Sequence, residues 1–164
     1  MPMKTSPNGV HFVGGFEGNI LQAYDDADDH IVQPGGHVYG TLTIGQGHTD
    51  AAGPPHVYIG MTITAQDSDA ILASDLTGVE LEVNHLVTVP LNQNQFDALV
   101  SFQFNTGWLS HQHCSLLIAL NSGNYNLADQ DFMLYDRAQG KVLAGLDRRR
   151  AAEKALFNTT VSQT

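Results

Sequence analysis

Apolar residues along this chain recur mostly at helical spacing. Ser6 and Pro7 form a start signal, an N-cap hydroxyl followed by a proline at the first helical position, and Val10, Phe12, Val13, Phe16 and Ile20 supply the apolar set of a short helix. Gly9, Gly14 and Gly15 weaken it, each by about 1 kcal/mol relative to Ala in a helix interior, and Gly18 offers a stop. From Asp25 to Thr49 the pattern changes. Asp, Gly, His, Thr and Tyr dominate, Pro34-Gly35-Gly36 reads as a turn, and Val38 to Ile44 alternate as a strand does, so a small β-hairpin or sheet is expected. Beyond Gly53-Pro54-Pro55, Thr64 and Asp67 stand at capping-box positions, and Ile71, Leu72, Leu76, Val79 and Val83 predict a helix of about five turns. Val89-Pro90 ends the next linker, and Asn92 with Gln95 opens a helix whose Phe96, Leu99, Val100 and Phe104 face a core before Gly107 closes it. Ser115 to Leu120, Asn126 to Arg137 and Leu146 to Phe157 read as three more helices, and residues 158–164 as a polar tail. One helix, a small sheet and five further helices, with no βαβ alternation or internal repeat, predict an α+β chain: a small β-hairpin lobe and a predominantly helical lobe, with a cleft between them.

Composition narrows the picture. The 164 residues fit one domain, 1–164. No apolar run approaches the ~18 residues of a membrane span, and the segment up to Gly18 has one base, Lys4, and no apolar h-region, so neither a membrane anchor nor a secretory signal is expected. Cys114 is the sole cysteine, which excludes an internal disulfide framework and any zinc site built on two thiolates. A net charge of −10 argues against nucleic acid as a partner, because phosphate would be repelled over most of the surface. The charge is also segregated: residues 1–136 hold 15 acids and one base, whereas residues 137–154 hold six bases against Asp147 and Glu153. That basic stretch fits either a solvated helix face or a positive patch facing an acidic ligand or the chain's own carboxylates.

Glu17 falls at the C-terminal end of the first helix, where apolar neighbours and unpaired carbonyls disfavour a carboxylate's charge. Asp25 and Asp26 follow Tyr24 in a polar loop that keeps a carboxylate ionised. Two carboxyl groups in contrasting surroundings suit glycosidic hydrolysis, one protonating the leaving oxygen and one acting as base or nucleophile.

Several segments extend this reading: Phe16-Glu17-Gly18 with Ala23-Tyr24-Asp25-Asp26, the run Thr43-Ile44-Gly45-Gln46-Gly47-His48-Thr49, the run from Val89 to Phe102, Phe104-Asn105-Thr106-Gly107, and Gly145-Leu146 followed by Arg149-Arg150 and Glu153. In order and approximate spacing, over nearly the whole chain, they resemble the phage-type lysozymes, the muramidase endolysins of glycoside hydrolase family 24. The family pattern places a catalytic Glu, an Asp after eight intervening residues and a Thr after five more. Glu17 and Asp26 keep the first interval, but the second reaches Val32, and the Thr-Ile-Gly-x-Gly-His signature begins only at Thr43. About eleven residues rich in Asp, His and Gly therefore look inserted in the hairpin, with Asp25 and Thr41 as competitors for the two later roles.

The resemblance implies that Glu17 donates a proton to the glycosidic oxygen, and that Asp26, aided by the Thr43 hydroxyl, activates water or stabilises an oxocarbenium-like transition state. An inverting course would set the carboxyl groups about 6.5 to 9.5 Å apart. Arg149 or its neighbours would hold the glutamate and oppose the helix-end effect on it, and His48 would be structural, paired with an acid. The implied substrate is the β-1,4 bond between N-acetylmuramic acid and N-acetylglucosamine in bacterial peptidoglycan. No cofactor or metal is expected. A monomer is expected, held in the host bacterial cytoplasm and reaching the wall through a holin pore. Rival readings are a lysozyme-fold protein that binds peptidoglycan with little turnover, a lytic transglycosylase, a phage structural or tail-associated component, and a metal-dependent amidase or peptidase using His30, His37, His48 or His56. His111, His113 and Cys114 cluster in sequence, as do Asp28, Asp29 and His30, without the spacing of a specific metal motif.

Overall fold

The computed structural model describes residues 1–138 and 140–160. The chain forms two compact units, one of Val10–Asp75 and one of Met1–Gly9 together with the chain from Leu76 onward. Among the described residues the helices are α1 (Pro7–Glu17), α2 (Ala65–Leu86), α3 (Gln93–Thr106), α4 (Ser115–Asn121), α5 (Tyr125–Asp131) and α6 (Ala144–Phe157), and the strands are β1 (Ile20–Asp25), β2 (Leu42–Gly45), β3 (Arg137–Ala138) and β4 (Lys141–Val142). This is the expected α+β order. Of the expected polar tail, residues 161–164 lie outside the described residues.

In the unit Val10–Asp75, α1 stops at Glu17 because Gly18 takes φ +71°, a left-handed conformation that only glycine adopts without strain. Ile20, expected on the helix, instead opens β1, a strand that the apolar pattern did not separate from α1. β1 pairs antiparallel with β2 in the register Ile20↔Gly45, Tyr24↔Thr43 and Asp25↔Leu42, with an irregularity between Ile20 and Tyr24. Its neighbour along the rest of its length is the 61–63 segment: Ala23 N–H donates to the Met61 carbonyl and Ile63 N–H to that of Leu21, both at 2.9 Å. Ala23, Ile44 and Val57 are buried beneath, with Leu42, Met61 and Ile63 packed on them. The Thr64–Asp67 box starts α2 as its residues predict: Asp67 N–H donates to Thr64 Oγ1 at 3.1 Å, and Thr64 N–H returns a bond to Asp67 Oδ2 at 3.1 Å.

The other unit is built around α3. Its Asn92–Gln95 capping box is reciprocal, and Phe96 to Gln103 are buried without a break, so this helix has no solvent face in that stretch, and its Asp97, Ser101 and Gln103 side chains are taken up by hydrogen bonds. Phe102 meets Phe132 and Tyr135 edge-on at 5.4 and 5.0 Å between ring centroids. The helix expected over Asn126 to Arg137 ends early: α5 stops at Asp131, a 3-10 turn covers Phe132–Tyr135, and Arg137 opens the β3–β4 hairpin. The expected basic face is altered as well. Arg149 and Arg150 are buried against Glu153, leaving Arg137, Lys141 and Arg148 exposed.

Candidate active site

Helix end, strand end and cross-strand pairing place Glu17, Asp26 and Thr43 in the same compact unit. Glu17 is the last residue of α1 and is half-buried. Asp26 follows the last residue of β1, and its backbone continues the pairing by donating to the Thr41 carbonyl at 3.1 Å. Its side chain is exposed, and Oδ1 accepts Thr41 N–H at 2.6 Å. Among the described residues Oδ2 takes no hydrogen bond. Thr43 is buried in β2, and its hydroxyl donates to the Thr41 carbonyl at 3.0 Å, which aims its lone pairs elsewhere as acceptors.

Tyr24 links the three. It lies directly opposite Thr43 in the ladder and two residues before Asp26, which opens the turn after β1. Its buried phenol has a raised pKa, first through burial and then through the negative charges of Asp29, Asp26 and Glu17. The two proposed catalytic carboxylates thus act on one tyrosine.

Asp25, the competitor of Asp26, has a different task. Its carboxylate is inaccessible to solvent and accepts three backbone N–H groups, from Ala27 at 2.9 Å, Gly40 at 3.0 Å and Tyr39. The bond from Ala27 leads the bonds that hold its pKa below the usual carboxylate range; Tyr39 and Gly40 add to it and burial opposes it. The cover over it is thin, formed by the loop it binds, so hydrogen bonding outweighs the cost of burial. Gly40 packs so tightly here that a Cβ on it would lie 2.2 Å from Asp26 Oδ1 and 2.8 Å from Asp25 Oδ1. The sequence lists Asp25 as a possible catalyst; nothing in its spacing reveals that it clamps the 27–40 loop.

His48 follows the Gly45-Gln46-Gly47 turn and is buried, as expected of a structural histidine. Nδ1 faces Asp75 Oδ2 at 2.9 Å and Nε2 faces the Pro55 carbonyl at 2.8 Å. With both ring nitrogens engaged, His48 ties the turn to α2 and to the Pro55 loop and has no nitrogen left for a metal. Burial raises the Asp75 pKa, against the pull of His48. His30 pairs with Asp28, and His56 Nδ1 lies 2.7 Å from Asp50 Oδ2. Among the described residues no three His, Cys, Asp or Glu side chains converge as a metal ligand set.

Arg149 belongs to the other unit. Its Nε donates to Glu153 Oε1 at 3.2 Å and its Nη2 to the Ser101 carbonyl at 3.4 Å. Arg150 completes the network, with Nε 2.9 Å from Glu153 Oε2, Nη2 donating to Asn105 Oδ1 at 2.8 Å, and its guanidinium 5.0 Å over the Phe102 ring. Burial pushes the Glu153 carboxyl up, opposed by Arg150, Ser101 and Arg149.

The sequence model of the family described as Phage lysozyme matches residues 14–153. The endolysin of Salmonella phage P22 is 41% identical over 155 residues, covering 94% of this chain and 98% of that protein. Among solved structures, a mutant of P22 lysozyme superposes with a TM-score of 0.81 at 39% identity, covering 96% of this chain and 99% of that one. The muramidase domain of SpmX from Asticaccaulis excentricus gives 0.76 at 39% identity, covering 96% and 99%.

Proposed function

This chain belongs to the phage lysozyme family and is a phage endolysin of the muramidase class, acting on peptidoglycan, and on that premise we propose that Glu17, Asp26 and Thr43 hydrolyse the β-1,4 bond between N-acetylmuramic acid and N-acetylglucosamine. The observation that supports the residue assignment is that Asp26, next to the Tyr24–Thr43 pair, is exposed with one carboxylate oxygen on Thr41 N–H, while Asp25 is spent on three backbone N–H groups. Glu17, as the acid, donates its proton to the glycosidic oxygen while the bond to the anomeric carbon breaks. Asp26 Oδ2 takes a proton from a water that Thr43 Oγ1 accepts from and orients, and that water's oxygen forms the new bond to the anomeric carbon. The exposed Asp26 fits this role and the clamped Asp25 does not, since its lone pairs already hold three N–H groups. His48 is proposed to keep the β2 turn in place.

No described helix is long and apolar enough to cross a membrane. The proposal is completed by a monomer that waits in the host cytoplasm, passes a holin pore and needs no cofactor.

The test is mass spectrometry of fragments released from purified peptidoglycan, with EDTA present, by the wild type, Glu17→Gln and Asp26→Asn. Wild type is expected to release reducing-end N-acetylmuramic acid. Each variant should lose at least 100-fold in rate, the scale of a positioned acid or base. Anhydro ends would make the enzyme a transglycosylase, and a fully active Glu17→Gln would remove the assigned acid.

A further inference from the structure

The residues between Asp26 and Thr43 form a loop that is bound to the proposed site at several points. Asp25 gives its whole carboxylate to the backbone of Ala27, Tyr39 and Gly40. Asp26 binds Thr41 through both its backbone and its side chain. Gly40 is pressed against both carboxylates, with no room for a Cβ. A buried carboxylate spent on three backbone N–H groups fixes the end of the loop where it rejoins β2, and what that end presents is Tyr39.

Tyr39 is 78% exposed, although its backbone is held by a fully buried group. The ring does not contribute to the core. The ring meets His37 in a T-shaped contact, with centroids 4.7 Å apart at an interplanar angle of 72°, and at this exposure a ring face remains open. A rigid tyrosine with a free face gives large amphipathic contact area at low entropic cost, and it suits the apolar C–H face of a sugar ring. The charge nearby selects among the parts of the substrate. Asp25, Asp26, Asp28 and Asp29 precede Tyr39 in the loop, and residues 25–43 contain no Lys or Arg, so an acidic stem peptide is repelled and an uncharged N-acetylhexosamine is not.

We propose that Tyr39 is a sugar-stacking platform, an added subsite on the Asp26 side of the site that binds an amino-sugar residue of the glycan strand. The proposal rests on the assignment of Asp26 above. It gives the extra hairpin residues a purpose: Tyr39 extends the bound length of glycan by a residue, and the Asp25 clamp keeps it in register with the reacting bond.

The test is steady-state kinetics on a size series of peptide-free glycan strands made from purified peptidoglycan, for the wild type, Tyr39→Ala, Tyr39→Phe and Asp26→Asn. Tyr39→Ala should raise KM roughly tenfold on long strands, the scale of one lost aromatic contact, with kcat within about twofold. On the shortest cleavable fragments it should match wild type. Tyr39→Phe keeps the ring face and should stay near wild type throughout. The amide resonance of Gly40 reports whether the loop remains clamped in each variant. An unchanged KM for a clamped Tyr39→Ala, or an increase independent of strand length, would overturn the platform. An active Asp26→Asn would overturn the underlying site assignment instead.

Discussion

Gly40 makes the proposed catalytic geometry depend on a hydrogen atom. Built as alanine, its Cβ would sit 2.2 Å from Asp26 Oδ1, and the overlap has no cheap escape because that oxygen holds Thr41 N–H and the neighbouring Asp25 is wholly buried. The Asp26 carboxylate must move, and for the proposed base a displacement of about 1 Å costs on the order of 100-fold in rate. Gly40→Ala is therefore expected to lose 10- to 100-fold in kcat while circular dichroism stays native. Gly35→Ala is the matched control: it lies in the same loop at φ +86° with nothing within 4 Å of a Cβ, so it strains the turn but leaves Asp26 alone. Equal activity of Gly40→Ala and wild type would mean that Asp26 can shift freely and does not act from its observed position.

At the scale of elements, the loop is held by an ionised carboxylate, and so its order depends on pH. The Asp25 pKa is depressed in the folded chain, so its stabilising contribution is fully present above the unfolded Asp value of about 3.9 and is lost as pH falls through the lower folded value. Below pH ~4 the Tyr39 and Gly40 amides should lose protection from hydrogen exchange together, ahead of the α3 amides in the helical core. Asp25→Asn should leave them poorly protected at neutral pH. Protection that is indifferent to acid and to Asp25→Asn would remove the clamp. The same element shows where sequence reasoning reaches. Ser6-Pro7, Thr64 with Asp67 and Asn92 with Gln95 were legible because a cap is a local contract among three or four residues, and each helix begins where they stand. The interval from Glu17 to Asp26 and the Thr43 motif were legible through the family pattern. β1 was not, because its partners, Leu42 to Gly45 and Met61 to Ile63, lie about 20 to 40 residues away. Gly14 was read as a weak point in α1. In the fold a Cβ there would meet Gln46 Oε1 at 1.8 Å, so the glycine is a place where a buried side chain crosses the helix.

Over the whole molecule, charge sets how the enzyme meets its substrate. The net charge is −10, and two of the six C-terminal bases, Arg149 and Arg150, are buried beside Glu153, so they give the surface less positive field than the sequence alone implies. A bacterial wall carries anionic polymers, and an acidic enzyme is repelled from it over a Debye length of about 30 Å at 0.01 M salt but only about 10 Å at 0.1 M. Lysis of intact walls is therefore expected to accelerate, by several-fold, as salt rises across that range, through the association rate. Cleavage of short soluble glycan fragments, which carry only a few lactyl carboxylates and none of the wall's anionic polymers, should change less. Parallel turbidity and soluble-fragment assays over one salt series separate the two. A wall-lysis rate that falls steadily with added salt would mean that the exposed bases Arg137, Lys141 and Arg148 steer binding despite the acidic remainder, and that local rather than net charge governs the approach.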